Sequence, residues 1–166
     1  SKITFPPHAM GNTNRLKIVS LSYEELFDYV INKKGFVKTD EDERKVWDYT
    51  IIPMRDADEK DHLFYTFWCG FYEGEDILQV GFLRPVNEHG TVEIWVHVKD
   101  EYMGKGFGTE AIKALTEFAK GYEEIQYVGA SVELDNHASK RMLIKSGFEY
   151  GGVHKEVDIF YFNTKI

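Results

Sequence analysis

The sequence predicts an α/β (α+β) domain in which one mixed sheet carries helices on both of its faces. Segments with helical spacing of apolar residues alternate with segments rich in β-branched and aromatic residues. A glycine-rich loop also stands directly between a predicted strand and a predicted helix. The length of 166 residues suits one domain, and 43% hydrophobic residues are enough to bury a core.

The chain begins with an arm and a short strand. Residues 1–14 contain two prolines and show no hydrophobic period, which predicts an N-terminal arm. The alternating apolar residues over 15–21 then predict a strand. Because no linker or internal repeat follows, we expect residues 15–166 to form a single domain.

Two helices follow the first strand. Ser22-Tyr-Glu-Glu25 is a capping box, in which the serine hydroxyl and the glutamate carboxylate each bond an exposed amide, and it predicts a helix over 23–33. The acidic residues that open the segment 40–55 suit the positive end of a second helix.

The middle of the chain predicts three successive antiparallel strands, over 63–71, 77–84 and 91–98. These segments are rich in aromatic and β-branched residues and are separated by short polar turns that contain glycine. In the third segment, valine and isoleucine alternate with Glu93, Trp95 and His97. One face of that strand is therefore expected to meet the core, and the other carries polar groups.

The C-terminal part starts at the glycine loop Met103-Gly-Lys-Gly-Phe-Gly108. The loop leads into a helix whose apolar residues keep helical spacing from Ala111 to Ala119. The remaining predicted elements are a strand over 125–132, a helix over 136–144 and strands over 148–152 and 157–162.

Charge and composition exclude several functions. With 20 basic and 28 acidic residues, the net charge of −8 has the wrong sign for binding nucleic acid. Apolar runs such as 63–71 are far shorter than the ~20 residues of a membrane helix. The six histidines lack zinc-ligand spacing, so we expect no metal. The chain has one cysteine and no basic-then-apolar leader, so we expect a cytoplasmic protein. We expect either a monomer or a homodimer.

The glycine loop predicts an anion site. A strand that runs through glycines into a helix exposes several consecutive amides, and glycine lets a phosphate approach them closely. The loop lacks the patterns of a Walker loop and of a dinucleotide loop. A flexible turn without a ligand is the alternative interpretation.

Two motifs resemble the GNAT superfamily of acyl-CoA-dependent N-acetyltransferases. The segment 103–108 is similar to the pyrophosphate signature Arg/Gln-x-x-Gly-x-Gly/Ala, except that Met103 takes the first position. Asn136-His-Ala-Ser139, followed by Lys145-Ser-Gly-Phe148, resembles the second motif of the branch that contains the ribosomal-protein N-terminal (alanine/serine) acetyltransferases. The resemblance implies a GNAT-like, mixed and mostly antiparallel central sheet.

The resemblance also implies a binding site for acetyl-CoA (coenzyme A) as co-substrate, without a metal. The strand end would pair its backbone with the pantetheine amides, the loop would hold the pyrophosphate, and Asn136 would bond the pantetheine arm. Without the motif, Asn136 is an ordinary helix N-cap and the lysines are solvent-exposed. The implied cofactor residues are Val96, His97, Val98, Met103, Gly104, Lys105, Gly106, Phe107, Gly108, Thr109, Asn136 and Lys145.

Acetyl transfer needs a base for the amine and an acid for the departing thiolate. Glu93, on the polar face of the strand, is the candidate base, with His97 or a water chain as alternatives and a surface glutamate as the simplest interpretation. The tyrosine that many GNAT enzymes use as acid is replaced by Leu143. The resemblance to the ribosomal-protein branch implies Ser139 as the acid instead. Tyr150 and Tyr161 are further candidates for the acid.

Three acidic stretches bear on the acceptor amine. Acidic stretches at 40–43, 56–59 and 73–76 lie in connections that are expected to border a substrate cleft, and they would favour a cationic amine. Solvated loop charge is the alternative interpretation. We expect acetyl transfer to a primary amine, either a protein N-terminus or a small cationic amine such as a polyamine or aminoglycoside. An acyl-CoA-binding module with little or no turnover is the alternative from another class.

Overall fold

The computed structural model describes residues 15–166, so the predicted arm over 1–14 lies outside the described residues. In this part of the chain, the strands form one seven-stranded sheet in the order β1-β2-β3-β4-β5-β7-β6. Only the β4–β5 pair is parallel among these neighbours. The strands are β1 (Lys17–Ser20), β2 (Phe67–Tyr72), β3 (Glu75–Phe82), β4 (Thr91–Val98), β5 (Tyr127–Glu133), β6 (Glu149–His154) and β7 (Val157–Asn163). The expected mixed, mostly antiparallel sheet is confirmed.

Five α-helical segments pack on this sheet within the described residues. They are α1 (Tyr23–Ile31), α2 (Asp40–Val46), α3 (Ile52–Asp56), α4 (Phe107–Lys120) and α5 (His137–Lys145). The predicted capping box at Ser22 and Glu25 is formed, and Thr39 and Asp42 form a second one at the start of α2. No helix over residues 15–166 is long and apolar enough to cross a bilayer.

The two faces of the sheet bury separate hydrophobic clusters. On one face, α4 and the buried Leu143 of α5 pack against Val92, Ile94 and Val98 of β4. On the other face, α1 and the segment from α2 to α3 cover Phe67 and Trp95. The alternation along β4 therefore directs its residues to two cores, and the predicted helices on both faces are confirmed.

The predicted helix over 40–55 contains a π-helical turn, Trp47–Ile51, between α2 and α3. The N–H of Ile52 bonds to the carbonyl of Trp47, five residues earlier. Pro53 follows at once, and it has no N–H and would crowd the carbonyl four residues before it in a regular helix. The wider turn accommodates the proline and keeps the segment helical.

The predicted strand over 63–71 is wrong in its first part. A 3₁₀ helix, Glu59–Phe64, replaces it, and the strand begins only at Phe67. The carbonyl of His62 accepts hydrogen bonds from the amides of Tyr65 (3.1 Å) and Thr66 (3.0 Å), which closes a turn. A short apolar run is buried equally well in a turn, so periodicity alone did not distinguish the two.

The parallel pair β4–β5 opens after three residues. Thr91, Val92 and Glu93 pair with Tyr127, Val128 and Gly129, and the register ends there. From Ala130 onward, β5 stays paired with β7, whereas β4 stays paired with β3 up to Val98. A gap in the middle of the sheet results.

Candidate active site

The glycine loop ends at the start of α4 in the geometry of an anion site. Gly106 is the N-cap residue with φ 83°, and no side chain caps the helix there. Glu110 bonds back to the carbonyl of Gly106 at 3.1 Å, so the amides of residues 107–109 have no partner within the helix. A Cβ on Gly106 would lie 3.3 Å from Nη2 of Arg15.

Gly108 has a different role in the same loop. A Cβ on Gly108 would collide with the sulfur of Met142 and lie 3.2 Å from Val98 Cγ2. The absence of a side chain therefore lets the first turn of α4 approach both α5 and the end of β4. This close packing brings α5 to the side of the loop.

A shallow cavity of about 120 Å³ lies between the loop and α5. Its charged wall residues are Arg141 and Lys145, both cationic, in a protein whose net charge is −8. Arg141 was not predicted from the sequence, although its position four residues before Lys145 places both on one helix face. The predicted cofactor residues that line this cavity are Val98, Met103, Gly104, Gly106, Phe107, Gly108, Thr109 and Lys145.

Arg15 holds the loop from a distant part of the sequence. Its Nη1 donates to the carbonyl of Lys105 at 3.1 Å, and its guanidinium carbon lies 4.0 Å from the centre of the Phe107 ring. Its Nε also pairs with Glu110 at 2.8 Å. The Lys105 side chain is not part of the cavity wall, but its Nζ lies 5.7 Å from the ring centre of Tyr102, which is. Thus the backbone of Lys105, rather than its charge, is fixed within the loop.

The edge of β4 beside the gap presents backbone groups without a strand partner. Glu93 accepts from Leu83 (2.9 Å) and Lys99 donates to Ile77 (2.8 Å), both toward β3. Because backbone direction alternates along a strand, the N–H and C=O groups of Val96 and Val98, beyond the last pair with β5 at Glu93, face the gap instead. The predicted positions Val96 and Val98 therefore lie at this edge.

His97 lies away from the gap. Its backbone pairs with Gln79 of β3, and its Nδ1 is 3.1 Å from Gln79 Oε1. Its side chain shares the face of Trp95, and burial lowers the pKa of His97, which favours the neutral ring. Of the three predicted strand-end residues, His97 is the one whose backbone groups point to β3 and away from the gap.

A second cavity, of about 260 Å³, lies within the gap itself. Its wall brings together Val96 of β4 with Asn136 and Ser139 of α5. Asn136 Oδ1 accepts a hydrogen bond from the Ser139 N–H at 3.1 Å and thus caps α5. The buried Leu143 completes the apolar wall where the resemblance implied a tyrosine.

The candidate base is beside this cavity rather than on its wall. Glu93 is the last β4 residue paired with β5, and its Cγ lies 3.9 Å from the Cβ position of Gly129. Among residues 15–166, the Glu93 carboxylate has no hydrogen-bond or ion-pair partner. Glu133 does line the cavity. This carboxylate was not predicted from the sequence, because it is one of many charged residues at strand ends.

The remaining candidate groups, two tyrosine hydroxyls and one cysteine thiol, are hydrogen-bonded or buried. The Tyr150 hydroxyl donates to Asp158 at 2.9 Å and the Tyr161 hydroxyl to Glu149 at 2.7 Å, bonds that raise the pKa of each phenol. Cys69 is 1% exposed, and burial raises the pKa of its thiol, which opposes a nucleophilic role. Residues 15–166 contain no cluster of three or more His, Cys, Asp or Glu side chains that could hold a metal.

In the acidic stretches, which are expected to border a substrate cleft, several carboxylates have local partners, and Asp76 lines a separate cavity together with His97. Asp40 and Glu43 pair with Lys33 at 3.0 and 3.2 Å. Glu75 pairs with Lys99 at 2.6 Å, and Asp76 accepts from Tyr29 at 3.1 Å. None of the acidic residues in these stretches lines either cavity beside α5. Local pairing, which the sequence does not reveal, accounts for much of this charge.

Sequence comparisons point to one family. The chain matches the family model described as "Acetyltransferase (GNAT) domain" over residues 16–149. It is 31% identical over 77 residues to the uncharacterized N-acetyltransferase YoaA of Bacillus subtilis, which covers 46% of this chain and 44% of YoaA. It is 37% identical over 68 residues to an L-methionine sulfoximine/L-methionine sulfone acetyltransferase of Pseudomonas paraeruginosa, covering 41% and 39%. The chain thus matches less than half the length of these curated relatives.

Solved structures share the fold over most of the chain. The apo ribosomal L7/L12 alpha-N-protein acetyltransferase RimL has a TM-score of 0.72 at 13% identity and covers 98% of this chain and 94% of its own. The aminoglycoside acetyltransferase AAC(6')-Ib in complex with coenzyme A and kanamycin has a TM-score of 0.67 at 15% identity, covering 90% and 95%. Identities this low establish similarity of fold.

Proposed function

The chain belongs to the GNAT acetyltransferase domain family, and from that premise we propose that it transfers the acetyl group of acetyl-CoA to a primary amine within a ternary complex. The observation that carries the proposal is the gap in the sheet between β4 and β5. Unpaired backbone groups, an uncapped helix N-terminus and two cationic side chains follow one another along it.

The residues along the gap fit an extended acyl-CoA. Val96 and Val98 would pair their backbone groups with the pantetheine amides, as an added strand would. The first-turn amides of α4 would donate hydrogen bonds to the pyrophosphate, and Arg141 and Lys145 would neutralise its charge. The Nδ2 group of Asn136 is the donor left for the pantetheine arm, since Oδ1 caps α5. Acetyl-CoA supplies a thioester carbonyl to this site.

The proposed chemistry moves two protons through this chain. Glu93 accepts the proton of the amine nitrogen while the new C–N bond forms at the thioester carbonyl. The Ser139 hydroxyl donates a proton to the sulfur while the C–S bond breaks, so that coenzyme A leaves as the thiol. Ser139 then regains a proton from water and Glu93 releases one to water, which restores the enzyme. Leu143 is buried and apolar, and the wall carries two serine hydroxyls, Ser131 and Ser139. Of these, Ser139 is the one that belongs to the Asn136-x-x-Ser139 motif.

The pattern Asn136-x-x-Ser139 supports placing the chain near the ribosomal-protein N-terminal acetyltransferase branch. Small amines are the other acceptor class, supported by the curated relative that carries a methionine sulfoximine/sulfone acetyltransferase name. The alternative of a binding module with little turnover is supported by Met103 and Leu143, since neither side chain supplies the usual hydrogen-bonding group.

The deciding experiment measures thiol release from acetyl-CoA with the full chain and a panel of amines, with mass spectrometry of the product. We expect release that depends on the amine and an acceptor heavier by one acetyl group. Thermal stabilisation by coenzyme A in the same preparation separates the candidates. Stabilisation without any product would favour the binding module, and absence of both would reject the cofactor site.

A further inference from the structure

A further pocket, mostly apolar and distinct from the two cavities beside α5, lies on the other face of β4. Its volume is about 270 Å³, and its wall includes Phe36, Tyr49, Leu83 and Trp95. Tyr49 is 70% exposed and Leu83 is 42% exposed, and both lie on the wall of this pocket. Large apolar side chains left open beside a pocket are available to contact a ligand.

The floor of this apolar pocket is rigid. The Trp95 indole lies over Gly81 of β3, where a Cβ would come within 2.9 Å of its Nε1. Phe36 packs edge-on against Trp95 with ring centres 5.1 Å apart, and Phe67 supports it from below at 5.7 Å. The aromatic groups are therefore held in place before any ligand arrives.

The opposite wall is shaped by the π-helical turn. Tyr49 and Thr50, both on the wall, belong to the turn Trp47–Ile51. A regular helix would distribute these residues differently around its axis, and π-helical turns occur frequently at functional sites. Pro53 accounts for the π-helical turn, and the turn places Tyr49 and Thr50 on the pocket wall.

Trp95 connects the apolar pocket with the gap in the sheet. It is part of the wall of both the apolar pocket and the cavity that contains Asn136 and Ser139. Glu93, the candidate base, precedes it by two residues and so shares its face of β4. A ligand in the apolar pocket therefore lies beside the strand that carries the reactive end of the site.

The charge of the apolar pocket opposes a polycationic ligand. Its wall contains no carboxylate, and its charged residue is Lys45. Lys45 lies 3.8 Å from Glu41 in an exposed pair, so its charge is only weakly compensated. A second ammonium group would find no carboxylate on this wall; an acidic wall belongs to the separate cavity beyond His97, with Asp76, Asp100 and Glu101.

We propose that this apolar pocket selects the acceptor as a small primary amine attached to an aromatic or bulky aliphatic group, without a second positive charge. The inference rests on the proposed function and names its substrate class. The volume suits one ring or a branched chain, and Lys45 tolerates a carboxylate on the acceptor but disfavours a second ammonium. Aromatic amines and apolar amino acids have this chemistry, whereas polyamines and aminoglycosides do not.

The test compares phenethylamine with spermidine and kanamycin as acceptors for the full chain. We expect kcat/KM for phenethylamine to exceed the other two by at least about tenfold, the value of one well-buried apolar contact. Tyr49→Ala should raise the KM for phenethylamine by about tenfold and leave the KM for acetyl-CoA unchanged. Tyr127→Ala removes an exposed tyrosine outside the apolar pocket and is the matched control. Lys45→Glu should improve turnover of spermidine.

The outcomes distinguish the two levels of the proposal. A preference for spermidine, or an equal effect of Tyr49→Ala on all amines, would overturn the acceptor inference and leave acetyl transfer intact. So would acetylation of a peptide with N-terminal Phe when free phenethylamine is rejected. A change of mass in sedimentation on Tyr49→Ala would show a subunit interface instead. No thiol release with any amine and no stabilisation by coenzyme A would reject the proposed function itself.

Discussion

The side-chain oxygen of Asn136 accepts a hydrogen bond from the Ser139 amide at 3.1 Å, which joins the two motif residues at the start of α5. The cap uses Oδ1 of Asn136 and the backbone N–H of Ser139. The Nδ2 group of Asn136 and the Ser139 hydroxyl are not used by it. Capping and cofactor binding by these residues are therefore compatible interpretations, because they involve different atoms.

The first prediction separates these two roles of Asn136. Asn136→Asp keeps an oxygen for the cap and should retain the melting temperature, but it loses the amide donor and should weaken the stabilisation by coenzyme A. Asn136→Ala removes the cap as well and should cost about 1 kcal/mol in the free energy of unfolding. Urea unfolding and thermal shifts with coenzyme A measure the two effects. Full cofactor response in Asn136→Asp would restrict Asn136 to capping.

The second prediction concerns the glycine loop. Gly106→Glu places a side chain and a negative charge over the α4 amides and should abolish stabilisation by coenzyme A, which for the parent reaches about 2.7 kcal/mol at a hundredfold excess over Kd. Gly74→Glu is the matched control, since Gly74 has the same φ of 83° and an open exposed turn. Both variants carry similar backbone strain, about 1–2 kcal/mol. If both respond equally to coenzyme A in thermal shifts, the loop assignment is wrong.

The third prediction concerns Glu93 as the base. Glu93→Gln should lower kcat by roughly 10²- to 10⁴-fold at pH 7 without changing the affinity for coenzyme A. The loss should shrink as the pH approaches the pKa of the free amine, because more acceptor then arrives neutral. Glu133→Gln, at the cavity wall, is the comparison. A larger and pH-rescued loss in Glu133→Gln would transfer the role to that carboxylate, as measured by pH–rate profiles of both variants.

The fourth prediction concerns Ser139 as the acid. Ser139→Ala should reduce kcat by about 10²-fold, within the usual range for a general acid. The reduction should be the same for amines of different basicity, because the hydroxyl serves the thiolate. The melting temperature should not fall, since the α5 cap uses the backbone N–H of Ser139. A loss that varies systematically with amine basicity in steady-state kinetics contradicts this role.

The fifth prediction concerns stability and pH. Asp158 pairs with Lys140 of α5 and accepts from Tyr150, and the bond with Lys140 is the main reason that the pKa of Asp158 lies below its usual 3.8. A lowered folded pKa stabilises the protein above pH 3.8, and the contribution disappears as the pH falls through the folded pKa. Asp158→Asn should therefore destabilise the protein at pH 7 and much less at pH 2.5. Urea unfolding at both values checks this, and a constant difference would argue against the ion pair.

Local signals in the sequence predicted much of the fold. The capping box at Ser22 and Glu25, the bounds of β4 and the turn of glycines before α4 depend on neighbouring residues only, and the structure has them as predicted. The two motifs also identified most residues around the loop cavity. Errors arose where an apolar run had no period, as before Phe67, since a turn and a strand bury such a run equally well.

The sequence by itself determined the helices, the strands and the loop that exposes its amides, because propensity, capping and periodicity operate within a few residues. Only the tertiary structure decided where β4 leaves β5, that Arg15 reaches the loop across 90 residues, and that acidic residues such as Asp40 and Glu75 pair with lysines. It also decided that Trp95 lies on the wall of both the gap and the apolar pocket. These features depend on contacts between segments far apart in the chain, and no local pattern encodes such contacts.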